Sequence, residues 1–226
     1  MRSNNNTNRA GCRYVILATM IVAGFSASWA LTGTTTLTAG GESSGTDSGA
    51  NSTDSAYAGI DETTIAAIRA DFTEAVESMA ATERAIRVLD AGFPENRLLW
   101  PPIARAYRAS LEGLIGKHSP KLLEKLNRVN TAIADYEGLI EAYPGSLELR
   151  FMRFAFYSQL PGLFGVGSHV KPDRAVLVDM LEQGDDRRVP DSQKLEMISW
   201  ILKDGKPDKT ESSRLQAAAV RLGGRR

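Results

Sequence analysis

From Asp61 onward, apolar residues recur at intervals of three and four, the period of a helix that packs on one side. Ile65, Ile68, Phe72, Val76, Met79, Ile86 and Leu89 share one face, and Gly92 and Pro94 stop the pattern. This stretch reads either as one helix from Asp61 or as two helices broken around Thr82. After Pro101-Pro102, the residues Ile103, Tyr107, Leu111, Leu114 and Ile115 mark the next helix. Gly116 near a C-cap, Ser119 as N-cap and Pro120 at the first helical position predict a stop and restart. Leu122, Leu126, Val129, Ile133, Tyr136, Ile140 and Tyr143 then alternate spacings of four and three, a seam of about three heptads. The short link before it predicts an antiparallel hairpin.

Pro144-Gly145-Ser146 ends that helix and opens another, from Leu147 to about Leu160. Its middle, Leu149 to Tyr157, has apolar groups on every side, which predicts a helix surrounded by protein. The glycine-rich run from Leu160 to Gly167 interrupts the pattern, either as a tight corner with Leu163, Phe164 and Val166 in the core or as a loop that contacts a membrane or ligand. Three further helices are expected: Pro172 to Gln183, Pro190 to Lys203, and about Asp208 to Leu222. No stretch alternates with period two. The expected fold is therefore all-α, about seven helices in stacked antiparallel hairpins, either a right-handed stack or an irregular bundle.

The segment before Asp61 has a different character. Arg2, Arg9 and Arg13 precede an apolar run from Tyr14 to Phe25, followed by Ser28-Trp29-Ala30, the order of a secretory signal peptide. Twelve helical residues span only about 18 Å, against a hydrocarbon core of roughly 30 Å. Residues 1–30 are thus expected to be a cleaved leader that directs the protein to the periplasm or outside the cell, and retention as an anchor is the alternative. Residues 31–57 are mostly Thr, Ser, Gly and Ala, a composition too weakly apolar to offset ordering entropy, and are expected to be a disordered linker. Residues 58–222 are expected to form a single helical domain, with 223–226 a flexible tail.

Pro101, Pro144 and Pro190 open successive helix pairs more than forty residues apart. In this the chain from Pro101 to Leu222 resembles tetratricopeptide-like and other α-solenoid proteins. The spacing is longer than their unit of about 34 residues, and the Trp, Leu-Gly and Tyr pattern of that unit is missing. The resemblance implies a helical-repeat stack that binds protein partners. The run Glu148 to Arg153, followed by Leu160-Pro161, is also similar to a motif of uncharacterised exported bacterial helical proteins.

Composition removes several classes of function. With 27 basic and 27 acidic residues among 226, no field of one sign favours nucleic acid. Residues 1–30 hold three arginines and no acid, so the remainder is mildly acidic. The one cysteine, Cys12, lies in the leader, so thiol chemistry and disulfides are not expected of the exported part. His118 and His169, both expected in loops, do not form a zinc motif; no GxSxG or phosphate loop occurs, and no cofactor or metal is expected.

Arg150 and Arg153 are the main candidates, because guanidinium groups on an apolar helix require acceptors. They predict either an anion or carboxylate clamp for a partner, with Tyr157 and His169 beside it, or internal ion pairs with Glu148, Asp173 or Asp179. Trp100 and Trp200 are expected in the core. The expected role is an exported protein-interaction or assembly module with a protein partner in the cell envelope. The alternatives are a hydrolase or lyase near His118, His169 and the arginine-bearing helix, and a carrier of a small apolar ligand.

Overall fold

The computed structural model describes residues 55–224, which form eight α-helices and no strand. The expected leader, Cys12 and most of the expected linker lie outside the described residues. In chain order the helices are α1 (Glu62–Ala75), α2 (Met79–Gly92), α3 (Pro102–His118), α4 (Leu122–Ala142), α5 (Leu147–Tyr157), α6 (Gly167–Gln183), α7 (Asp191–Asp204) and α8 (Lys209–Gly223). Consecutive helices pack together, most extensively α3 on α4, and α1, α3 and α5 also touch in series. On the other flank, α6 packs against α8. Among the described residues, no helix is long and apolar enough to cross a membrane.

The described residues include two positions of the expected linker that belong to the fold. Ala56 and Tyr57 are buried, so the expected linker does not extend through Tyr57. The break between α1 and α2 lies before Thr82, at residues 76–78. Ser78 caps α2 through Ala81 N at 3.2 Å, and the buried Thr82 hydroxyl donates 2.7 Å to Ala75 O, one of the carbonyls left open at the end of α1. Thr82 therefore closes one helix from inside the next.

The α3–α4 corner also differs from expectation. Gly116 is not a C-cap but lies within α3, where a Cβ would come within 3.3 Å of Arg128 Cβ and Lys125 O on α4. Ser119 is the C-cap of α3, and Pro120 precedes α4 rather than opening it. Three residues earlier, a Cβ on Gly113 would lie 2.5 Å from Phe156 on α5. Gly113→Ala is accordingly expected to cost about 1–3 kcal/mol by overpacking. Urea unfolding measures this, and parental stability would mean that Phe156 moves aside freely.

The heptad seam of α4 packs as predicted at Val129, Tyr136 and Ile140, but Leu122 is 57% exposed. Ala132 and Leu139 are buried as well, because α4 faces both α3 and α5 and needs a wider stripe than a two-helix seam. Helix α6 begins at Gly167 instead of Pro172, with His169 N bonded to Val166 O at 3.1 Å. Pro172 falls just beyond the first turn, where few backbone bonds are lost. Both histidines are consequently helical: His118 ends α3 and His169 lies in the first turn of α6. In the intervening corner Val166 is buried and Gly165 turns the chain at φ 73°, whereas Leu163 is 65% exposed and not in the core.

Two apolar cores share α5. Leu149, Met152, Phe156 and Tyr157 face the core built with α1 to α4; Leu147, Phe151, Phe154 and Ala155 face the core built with α6 to α8. This explains why α5 is apolar all round. Trp100 and Trp200 are core residues: Trp100 Nε1 donates to Pro94 O, and Trp200 receives the rings of Phe151 and Phe154 edge-on at 5.7 and 5.5 Å.

Candidate functional site

The structure brings Arg150, Arg153, Tyr157 and His169 together where α4, α5 and α6 meet. Arg150 and Arg153 lie one turn apart on α5, and Asp173 on α6 stands opposite. Its buried carboxylate accepts from Arg150 Nη1 at 2.8 Å and from Arg153 Nε and Nη2 at 2.9 and 2.7 Å. Arg150 Nη2 also donates to Pro144 O at 2.7 Å. Of the three acids offered as internal partners by the sequence, only Asp173 has that role; Glu148 pairs with Arg69, and Asp179 with Arg214.

Glu137 of α4 completes the constellation. It accepts from Tyr157 Oη at 2.6 Å and Arg153 Nη1 at 3.2 Å, and its Oε1 lies 3.9 Å from His169 Nε2. Burial, with Glu137 next, holds the Tyr157 phenol in its protonated form by raising its pKa. The arginines are thus engaged by carboxylates, and the groups facing solvent are the half-exposed Glu137 and His169. Such a surface offers an acceptor and an imidazole, which differs from an open anion clamp. His118 lies apart on α3, with burial and Lys117 disfavouring its charged form. Among the described residues no group of His, Cys, Asp and Glu is arranged to hold a metal ion.

A second polar centre is wholly internal. Glu148, 1% exposed in the first turn of α5, accepts from Arg69 Nε at 3.0 Å and Nη2 at 2.6 Å, from Tyr107 Oη at 2.6 Å, from Gln193 Nε2 at 2.7 Å, and from Tyr57 Oη. Burial by itself would raise the carboxyl pKa. The hydrogen bonds and charge of Arg69, aided by Tyr107 and Tyr57, reverse this and hold it below the usual carboxylate range. Sequence reasoning missed this centre because its donors come from four separate segments, with no local spacing to relate them.

An apolar depression lies between α1, α2 and α3. It encloses about 140 Å³, with Phe72, Leu89, Tyr107 and Leu111 at its base, Ile68, Ala85 and Phe93 on its walls, and Thr64, Ala67, Asp71 and Val88 around it. Val88 is 54% exposed. The 3₁₀ turn just after α2 exposes Leu98 and Leu99, at 75% and 68%. The surrounding pair α1–α2 is acidic, with Glu62, Asp71, Glu74, Glu77, Glu83 and Asp90 against Arg69, Arg84 and Arg87. Arg69 is turned inward to Glu148, Arg84 pairs with Glu74, Arg188 with Glu62 and Arg108 with Asp90, so Asp71 is the acid that lines the groove itself. Periodicity revealed the apolar faces of α1 and α2 but not that they leave an opening between them. No family model, curated protein or solved structure matches the chain.

Proposed function

We propose that the protein is an exported helical interaction module that seats one large apolar side chain of a partner segment in the α1–α2–α3 groove. The groove itself carries this reading. Its volume of about 140 Å³ is close to that of an apolar cavity of roughly 150 Å³ that accepts one benzene ring. A base of Phe72, Leu89 and Leu111 offers dispersion contacts without requiring polar partners. Asp71 on the groove favours a basic residue beside the inserted side chain, and the exposed Leu98 and Leu99 extend the apolar surface. Export rests on the leader order in residues 1–30. Helix pairs stacked through α1, α3 and α5 support a solenoid-like scaffold, a shape suited to holding extended segments.

Phe93 lies against Trp100, with ring centroids 5.1 Å apart, so indole fluorescence reports occupancy of the groove. A short peptide with Phe between lysines is expected to give a saturable change, and the same peptide with glutamates a much weaker one. Ala67→Arg, at an exposed position beside the groove, is expected to weaken binding by about tenfold or more without shifting thermal unfolding, because it covers the opening and reverses local charge. Absence of a saturable signal with either peptide would sink the proposal.

A further inference from the structure

The lysines of this chain are concentrated at one end of the helix stack. Lys117 lies in the last turn of α3, Lys121 and Lys125 flank the start of α4, Lys171 lies near the start of α6, and Lys203, Lys206 and Lys209 surround the α7–α8 corner. Because consecutive helices run back and forth, all these corners fall on the same side. Contacts agree: Lys117 Nζ donates to Val76 O at the C-cap of α1, and Arg174 of α6 donates to Gly205 O in the α7–α8 corner at 3.2 Å. Leu160 and Phe164 of the α5–α6 corner pack on the core that contains Val129 of α4. Seven of the eight lysines are therefore at this end, and the eighth, Lys194, is buried near the start of α7 at the other.

The carboxylates at the same end are Glu74, Glu77 and Glu83 around the α1–α2 corner, and Glu124, Asp204, Asp208 and Glu211. Glu74 pairs with Arg84 and Glu211 with Arg174, so the seven lysines exceed the five remaining carboxylates. The same end exposes Leu122, Leu123 and Leu163, at 57%, 75% and 65%. The leucines belong to two corners: the first two open α4, and Leu163 lies on the 3₁₀ turn after α5.

We infer that this end of the stack seats on an anionic phospholipid surface, with the lysines on the headgroups and the three leucines in the interface. Each lysine near such a surface contributes on the order of 1 kcal/mol, and apolar side chains beside the charges add burial that a soluble polyanion does not provide. The inference does not depend on the groove, which lies between the start of α1 and the end of α2 at the opposite end.

The test uses the full chain and vesicles of phosphatidylcholine with or without phosphatidylglycerol, read by co-sedimentation. The leader is present in every variant, so differences report the folded part. The unsubstituted protein is expected to prefer anionic vesicles and to release as salt rises to about 0.5 M. Combined K121E, K171E, K203E and K209E is expected to reduce binding by about tenfold or more, and L122S, L123S and L163S to reduce it as well, with thermal midpoints near the parental value. Variants that bind anionic vesicles like the parent, or a parent–variant difference that is equal on neutral vesicles or persists at high salt, would overturn the inference. Loss with the lysine set but not with the leucine set would also overturn it, since that is the signature of a soluble polyanion site.

Discussion

Glu148→Gln is expected to destabilise the fold by about 3–5 kcal/mol, the cost of breaking a buried ion pair from one side. The substitution keeps the shape but leaves the Arg69 guanidinium, itself 11% exposed, without a counter-charge, and turns an amide NH2 toward a site built of donors. Tyr57, Tyr107 and Gln193 lose a charged acceptor at the same time. Urea denaturation followed by circular dichroism measures the effect, and a loss below about 1 kcal/mol would show that the centre is dispensable. The pH dependence has a defined sign. Because the Glu148 pKa is lower folded than unfolded, its contribution is complete above the ordinary carboxylate range and is lost as pH falls through the depressed value. The parent should therefore lose stability on acidification more steeply than Glu148→Gln.

Asp173→Asn is expected to have an effect of similar size. Asp173 is 1% exposed and holds Arg150 and Arg153, whose side chains are 11% and 8% exposed, so the substitution leaves two neighbouring cations in a poorly solvated space. Glu137 retains one bond to Arg153 and replaces none for Arg150. The triple variant Arg150→Met, Arg153→Met, Asp173→Leu removes the charges together and is expected to be more stable than Asp173→Asn alone. Melting temperatures of the two variants decide this. If the triple variant is the less stable, the ion cluster supplies net stability beyond what apolar packing offers.

Much of the helical layout was legible in the sequence, since it depends on local information. The faces of α1, α4 and α5 follow from the spacing of residues such as Ile65, Val129 and Phe154, and Pro-Gly punctuation locates the α4–α5 corner. Where reading failed locally, one residue type had two roles. Gly116 serves helix contact instead of termination, and Thr82 satisfies a carbonyl of the preceding helix instead of ending its own. The candidate site was partly legible. Two arginines on an apolar helix signal acceptors, and Asp173 was among the acids named, but Glu137 was not, because its position on α4 relates to Tyr157 only through packing. The Glu148 centre and the groove depend on how several helices come together, which no spacing within one segment encodes.

The wiring of Glu148 also bears on how the chain matures. Its donors lie 91 residues upstream, at Tyr57, and 45 residues downstream, at Gln193. A chain emerging from its N-terminus can form α1 to α5 and supply Arg69, Tyr57 and Tyr107, yet the carboxylate lacks its last donor until α7 arrives. The second core closes around the other side of α5 only then. Such long-range closure slows folding relative to what short helical hairpins alone would allow. A chain that ends before α7 is therefore expected to leave Glu148 short of a donor and one side of α5 uncovered.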